Sequence, residues 1–121
     1  MNSALICLGA NGPDADVQID NAFAMLCRLG SVAASSPAYP SHPEYGGSQP
    51  PYLNRIVSLD TSMDYDDIHR HTKSYEQGIR SSADIAPLVA IDIDIVEWNG
   101  DTLRPADATA RYFRKGLALM A

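Results

Sequence analysis

Asp92 and Asp94 are two carboxylates one residue apart in the run Val89-Ala90-Ile91-Asp92-Ile93-Asp94-Ile95-Val96-Glu97-Trp98. The run alternates as a β-strand does. Ile91, Ile93 and Ile95 therefore face one side, and Asp92 and Asp94 the other. Along a strand such a pair is separated by about 6.5–7 Å. Like charges this close repel unless water, a cation or an Arg neutralises them. Hard oxygen donors at this spacing suit Mg²⁺, which takes one or two protein carboxylates and fills its shell with water and substrate phosphates. The chemistry that follows is nucleotide-dependent phosphoryl transfer. By spacing alone a solvated face of an antiparallel strand is the commoner explanation. Against it, Asp is a poor strand former, and two on one short strand is unusual.

The elements around this strand can be read from pattern. Leu5–Leu8 is a short apolar run that predicts a first buried strand ending at Gly9, and 9–14 is turn chemistry. Asp14 or Asp16 caps a helix whose apolar stripe is Ile19, Phe23, Leu26 and Leu29, with Gly30 as its C′ residue. Residues 31–36 predict a second strand. Residues 37–51 hold five prolines and two glycines, which predicts an irregular loop. Residues 52–61 resume strand patterning, with Leu53, Val57 and Leu59 on one face. A second helix spans 64–79, with Ile68, Thr72, Tyr75 and Ile79 inward, and 81–88 is a loop. After the aspartate strand, Asn99-Gly100 marks a hairpin returning through Leu103. A last helix covers 106–120. The order β-α-β-β-α-β, then a short strand and a helix, predicts an α+β, ferredoxin-like sandwich with helices packed on an antiparallel sheet.

Composition sets the outer limits. The 121 residues predict one domain over 1–121, and 45% hydrophobic content is enough for a real core. The net charge of −6 argues against nucleic acid or an anionic membrane as partner. No stretch approaches a membrane span or has the form of a signal peptide. The only cysteines, Cys7 and Cys27, fall in apolar segments and are expected to be small buried hydrophobes. A cytoplasmic protein with reduced thiols is expected.

Four blocks, in order, carry a resemblance. They are Leu8-Gly9-Ala10-Asn11, Gln49-Pro50-Pro51-Tyr52-Leu53-Asn54, Ile91-Asp92-Ile93-Asp94-Ile95 and Arg111-Tyr112-Phe113. Together they resemble the 6-hydroxymethyl-7,8-dihydropterin pyrophosphokinase family of folate biosynthesis, across nearly the whole chain. The resemblance implies transfer of the β,γ-diphosphate of ATP to the pterin hydroxymethyl oxygen, with release of AMP. It implies two Mg²⁺ ions on Asp92 and Asp94, which neutralise charge on an in-line displacement. It implies Tyr52 and Phe113 stacked on the pterin faces, Asn54 reading the pterin edge, Arg111 as a catalytic cation and Arg80 as a nucleotide contact. Pterin and ATP would be the partners.

The chain also departs from the pattern. The family carries several arginines between the second helix and the aspartate strand, and a Gly-Pro-Arg just before it. Between Gly78 and Ala90 only Arg80 is basic, and Val89 holds the place of that last arginine. Pro105-Ala106 stands where the family has Pro-His. Each lost charge-assisted contact to phosphate is worth about 1.5–3 kcal/mol. Lys73, Arg104, Arg114 and Lys115 are the residues that could compensate. Glu76 falls near an acidic position of the family, though a solvated helix face is the preferred reading of it. His42 is expected in solvent, and His69 and His71 on different helix faces. Three readings stay open: the pyrophosphokinase, a pterin- or heterocycle-binding module of the same fold, and a diphosphotransferase acting on another alcohol.

Overall fold

A computed structural model describes residues 1–42, 50–83 and 88–120. The elements, in order, are β1 (Asn2–Ala10), α1 (Ala15–Leu29), β2 (Ser31–Ser35), β3 (Tyr39–Ser41), β4 (Tyr52–Thr61), α2 (Tyr65–Ala83), β5 (Asp92–Trp98), β6 (Asp101–Thr102), α3 (Pro105–Ala108) and α4 (Arg111–Met120). The strands form one sheet in the order β2-β4-β1-β5-β6, with β3 also paired to β4. Every pairing is antiparallel. This is a mixed α/β architecture with helices on an antiparallel sheet. Among the described residues no helix is long and apolar enough to cross a membrane.

Period-two alternation on the central strands builds two cores. Ala4, Ile6, Leu8, Val57, Leu59, Ile91, Ile93 and Ile95 face α1 and α2. From the helices Ile19, Ala22, Leu26 and Ile68 close against them, with Phe23, Leu29, Tyr75 and Ile79 packed at the margin. Each fully buried Ile or Leu contributes about 1.5–3 kcal/mol relative to exposure, so this face sets strand register. A slip of one residue would turn Asp92 and Asp94 into the core. The other face of the sheet carries a smaller cluster of Cys7, Tyr39, Ile56, Val96 and Phe113, covered by α4.

Several boundaries differ from expectation for identifiable reasons. Within the Pro-rich segment, Tyr39–Ser41 pairs with Tyr52–Asn54 as an edge strand, where Pro40 costs no obligatory ladder bond. Ser36 bridges the break between β2 and β3, its N–H donating to Ile56 O and its Oγ accepting from Ile56 N. Gly30 is extended, not left-handed. A Cβ there would collide with the Asp60 carbonyl, so close approach to β4 is what requires glycine. Helix α2 runs on to Ala83, and the rest of the expected 81–88 loop, at 84–87, lies outside the described residues. The single last helix is two, α3 and α4, with Thr109 as the C-cap of α3. Cys27 is exposed, because it falls beside the α1 stripe, not on it. Asn99-Gly100 does form the β5–β6 turn, both residues at positive φ.

Candidate active site

Three neighbouring strands deliver polar side chains to one face. Gly9 on β1 is opposite Asn54 on β4 and Asp92 on β5, and Cys7 is opposite Asp94. Helices α3 and α4 cover this face only in part. Between them and the strands lies a cavity of about 410 Å³, lined by Gly9, Tyr52, Asn54, Asp92, Asp94 and Arg104 among others. Asp92 and Asp94 are therefore brought together with Tyr52 and Asn54 in a single cavity.

The Asp94 side chain is 16% exposed. Burial, reinforced by the charge of Asp92, pushes its pKa up from 3.8 to about 6, against the pull of Arg104 and Lys73. Lys73 Nζ and Arg104 Nη1 each stand 3.7 Å from Asp94 Oδ1. These cations are anchored on carboxylates of their own. Lys73 Nζ donates to Glu76 Oε1 at 3.1 Å and to the Ile93 carbonyl at 2.9 Å. Arg104 Nε donates to Asp107 Oδ2. Tyr112 Oη donates to Asp107 Oδ1 at 2.8 Å, which ties α4 to α3 along the cavity wall.

Glu76 is not on a solvated helix face. It is 5% exposed and accepts from the Ile93 backbone N–H. Strand β6 pairs only with Glu97 and Trp98, so among the described residues no strand lies beside the outer edge of β5 at Ile93. Lys73 and Glu76, one helical turn apart on α2, satisfy both backbone groups there.

Asn54 is buried, its Nδ2 donating to Ser41 Oγ at 2.7 Å and to the Tyr39 carbonyl at 3.3 Å. Both amide protons are thus engaged by β3, and among the described residues Oδ1 is the group left for a ligand. A Cβ on Gly9 would lie 3.7 Å from Asn54 Oδ1 and 3.9 Å from Tyr52 Cδ1. Glycine therefore keeps the trough between the Asn54 side and the Asp92 side open. Burial, then the charge of Asp92, raises the Tyr52 phenol above its ordinary value.

The remaining expected residues lie elsewhere. Phe113 is 1% exposed, in the core cluster packed between α4 and this face, and the α4 aromatic that lines the cavity is Tyr112. Successive helical residues are about 100° apart, so the two rings cannot share a direction. Arg111 and Arg80 are exposed and are not among the described lining residues. His42 is exposed but borders the cavity, since β3 carries the chain to its rim. Gln49 lies outside the described residues. Asp107 and Tyr112 escaped the sequence reading. Pro105 gave a hint, since proline favours the first position of a helix, and a helix starting there aims Asp107 back at Arg104.

Among the described residues no three or more of His, Cys, Asp and Glu gather into a metal cluster. Two carboxylates on a half-open wall suit a hard cation that keeps several waters and takes phosphate oxygens, which is the habit of Mg²⁺. Residues 5–118 match the family model described as 7,8-dihydro-6-hydroxymethylpterin-pyrophosphokinase. No curated protein matches the chain.

Proposed function

Since the chain belongs to the 7,8-dihydro-6-hydroxymethylpterin-pyrophosphokinase family, we propose that it transfers diphosphate from ATP to the hydroxymethyl group of 6-hydroxymethyl-7,8-dihydropterin, releasing AMP, as a step of folate biosynthesis. One observation carries this reading: Tyr52 and Asn54 face the same cavity as Asp92 and Asp94, on opposite sides of Gly9. A flat heterocycle and a charged phosphate chain need such adjoining apolar and acidic halves.

In this reading the Tyr52 ring stacks on the pterin. Asn54 Oδ1 accepts from a pterin N–H, with the amide held in orientation by Ser41 and Tyr39. Asp92 and Asp94 would hold Mg²⁺, which when bound supplies positive charge to neutralise the triphosphate and the attacking oxygen. Lys73 and Glu76 fix the strand that carries both aspartates. Phe113 acts beside the cavity, as packing between α4 and the same face of the sheet. The partners are soluble small molecules, in keeping with a net charge of −6 and a cytoplasmic setting. We read the strand order as the ferredoxin-like arrangement, and residues 1–121 as one domain.

A second reading has its own support. Arg104 is the sole Lys or Arg among the described cavity-lining residues, which favours a heterocycle-binding module with little transfer activity. AMP release from ATP and Mg²⁺ separates the two. Pterin-dependent AMP, absent in Asp94→Asn, is the expected result. No AMP at high protein concentration, with pterin still quenching Tyr and Trp fluorescence, would leave the binding module standing.

A further inference from the structure

Among the described residues the cavity wall carries three aspartates, Asp92, Asp94 and Asp107, and one guanidinium, that of Arg104. A polyphosphate entering such a wall is repelled unless cations intervene, and Arg104 is the one that the described wall itself supplies. Its backbone is fixed, because the N–H groups of Leu103 and Arg104 both donate to the Val96 carbonyl of β5. Pro105 follows as the first residue of α3. The side chain is 49% exposed, with Nε anchored on Asp107 and Nη1 at 3.7 Å from Asp94 Oδ1. That second contact is an ion pair beyond hydrogen-bond length. Lys73 differs in not being among the described lining residues, its ammonium being engaged by the Ile93 carbonyl and both oxygens of Glu76. Ala106 and Ala110 line the same cavity as Arg104 with small side chains.

We propose that Arg104 is a polyphosphate-contacting residue of this chain, parked on Asp94 in the ligand-free site and transferred to a phosphate oxygen when a divalent cation with its nucleotide takes over the charge of Asp94. The inference rests on the pyrophosphokinase reading and deepens it. Guanidinium suits the role because its planar fork matches phosphate oxygens. The same group that pairs with Asp94 thereby replaces the positive charge missing from the segment that ends at Val89.

Titration of wild type, Arg104→Gln and Arg104→Lys with MgATP, and separately with 6-hydroxymethyl-7,8-dihydropterin, tests this. Arg104→Gln is expected to lose about tenfold to hundredfold in MgATP affinity, the range of one charge-assisted hydrogen bond. Arg104→Lys should fall between the two, and pterin affinity should stay within about twofold. If Arg104→Gln does not fold, Arg104→Lys decides: weaker MgATP with pterin binding retained supports the role, and unchanged MgATP overturns it. Wild-type MgATP binding matched by Arg104→Gln would overturn this inference alone. Equal losses for both ligands would mark Arg104 as structural and also overturn it. Absence of MgATP binding in the wild type would remove the pyrophosphokinase reading and this inference together.

Discussion

The backbone N–H of Ile93, the residue between Asp92 and Asp94, donates to Glu76 Oε1 on α2. A helix side chain thus completes the free edge of the strand that presents both aspartates. Deleting it strands a buried N–H and releases Lys73 from its partner. Glu76→Ala is expected to cost about 2–3 kcal/mol, the penalty for an unsatisfied buried group next to a charge. Glu76→Gln, which keeps an acceptor, should cost less. Urea unfolding gives the stabilities, and faster exchange of the Ile93 amide would place the damage at β5.

Asp94 makes stability depend on pH. Its folded pKa of about 6 lies above the ordinary 3.8, so the folded state holds the proton more tightly than the unfolded chain. The stabilisation is complete below the unfolded value and is lost as pH rises through about 6. Without divalent cations, Asp94→Asn should therefore be more stable than wild type at pH 7.5, by on the order of 1–3 kcal/mol, and the gain should vanish below pH ~4. Mg²⁺ should stabilise wild type and leave the variant unmoved. Thermal melts across pH, with and without Mg²⁺, check this. A variant less stable than wild type at pH 7.5 would mean that Arg104 and Lys73 outweigh burial.

Gly116 on α4 should not tolerate alanine. In an open helix the change gains about 1 kcal/mol. Here a Cβ would overlap Tyr39 Oη and Ile56 Cγ1, and Tyr39 is held by a 2.8 Å bond from its hydroxyl to the Tyr112 carbonyl. Overpacking of about 1–3 kcal/mol should exceed the propensity gain. A midpoint of denaturation at or above wild type would show that α4 can shift outward.

Tyr52 and Phe113 should separate binding from folding. Tyr52→Ala removes a partly exposed ring at the cavity. It is expected to weaken pterin binding by about tenfold, as loss of a stacking surface does, with little change in melting temperature. Phe113→Ala empties a core site and should cost about 3–5 kcal/mol. Pterin titration beside thermal denaturation distinguishes the two. A Phe113→Ala protein of normal stability with poor pterin affinity would put that ring against the ligand after all.

Much of this was legible in residue order because alternation and helical stripes are local signals. The inward set Leu53, Val57 and Leu59, the outward pair Asp92 and Asp94, and the Asn99-Gly100 turn each follow from neighbours in the chain. Burial of Glu76 was not, because it depends on β6 being too short to cover Ile93. Nor was the place of Phe113, because a motif spacing names two adjacent helix residues without saying which faces the sheet. Tyr39–Ser41 was hidden by its prolines, since an edge strand tolerates what a central one does not. Asp107 and Arg104 meet only after α3 has formed as a separate short helix.

The pairing of Gly9 with Asn54 on one side and Asp92 on the other has a consequence of scale. Neighbouring strands are about 4.8 Å apart, so Asn54 and Asp92 are separated by about 9.6 Å, twice that spacing, with a bare backbone between them. The sheet is in effect a ruler. A heterocycle seated at Asn54 must project its acceptor hydroxyl across one strand to reach the aspartates. The hydrogen-bond ladder of the fold fixes that interval, which no side-chain rotamer can change. Compounds with the right ring and a longer or shorter arm should therefore occupy the seat and fail to meet the phosphate.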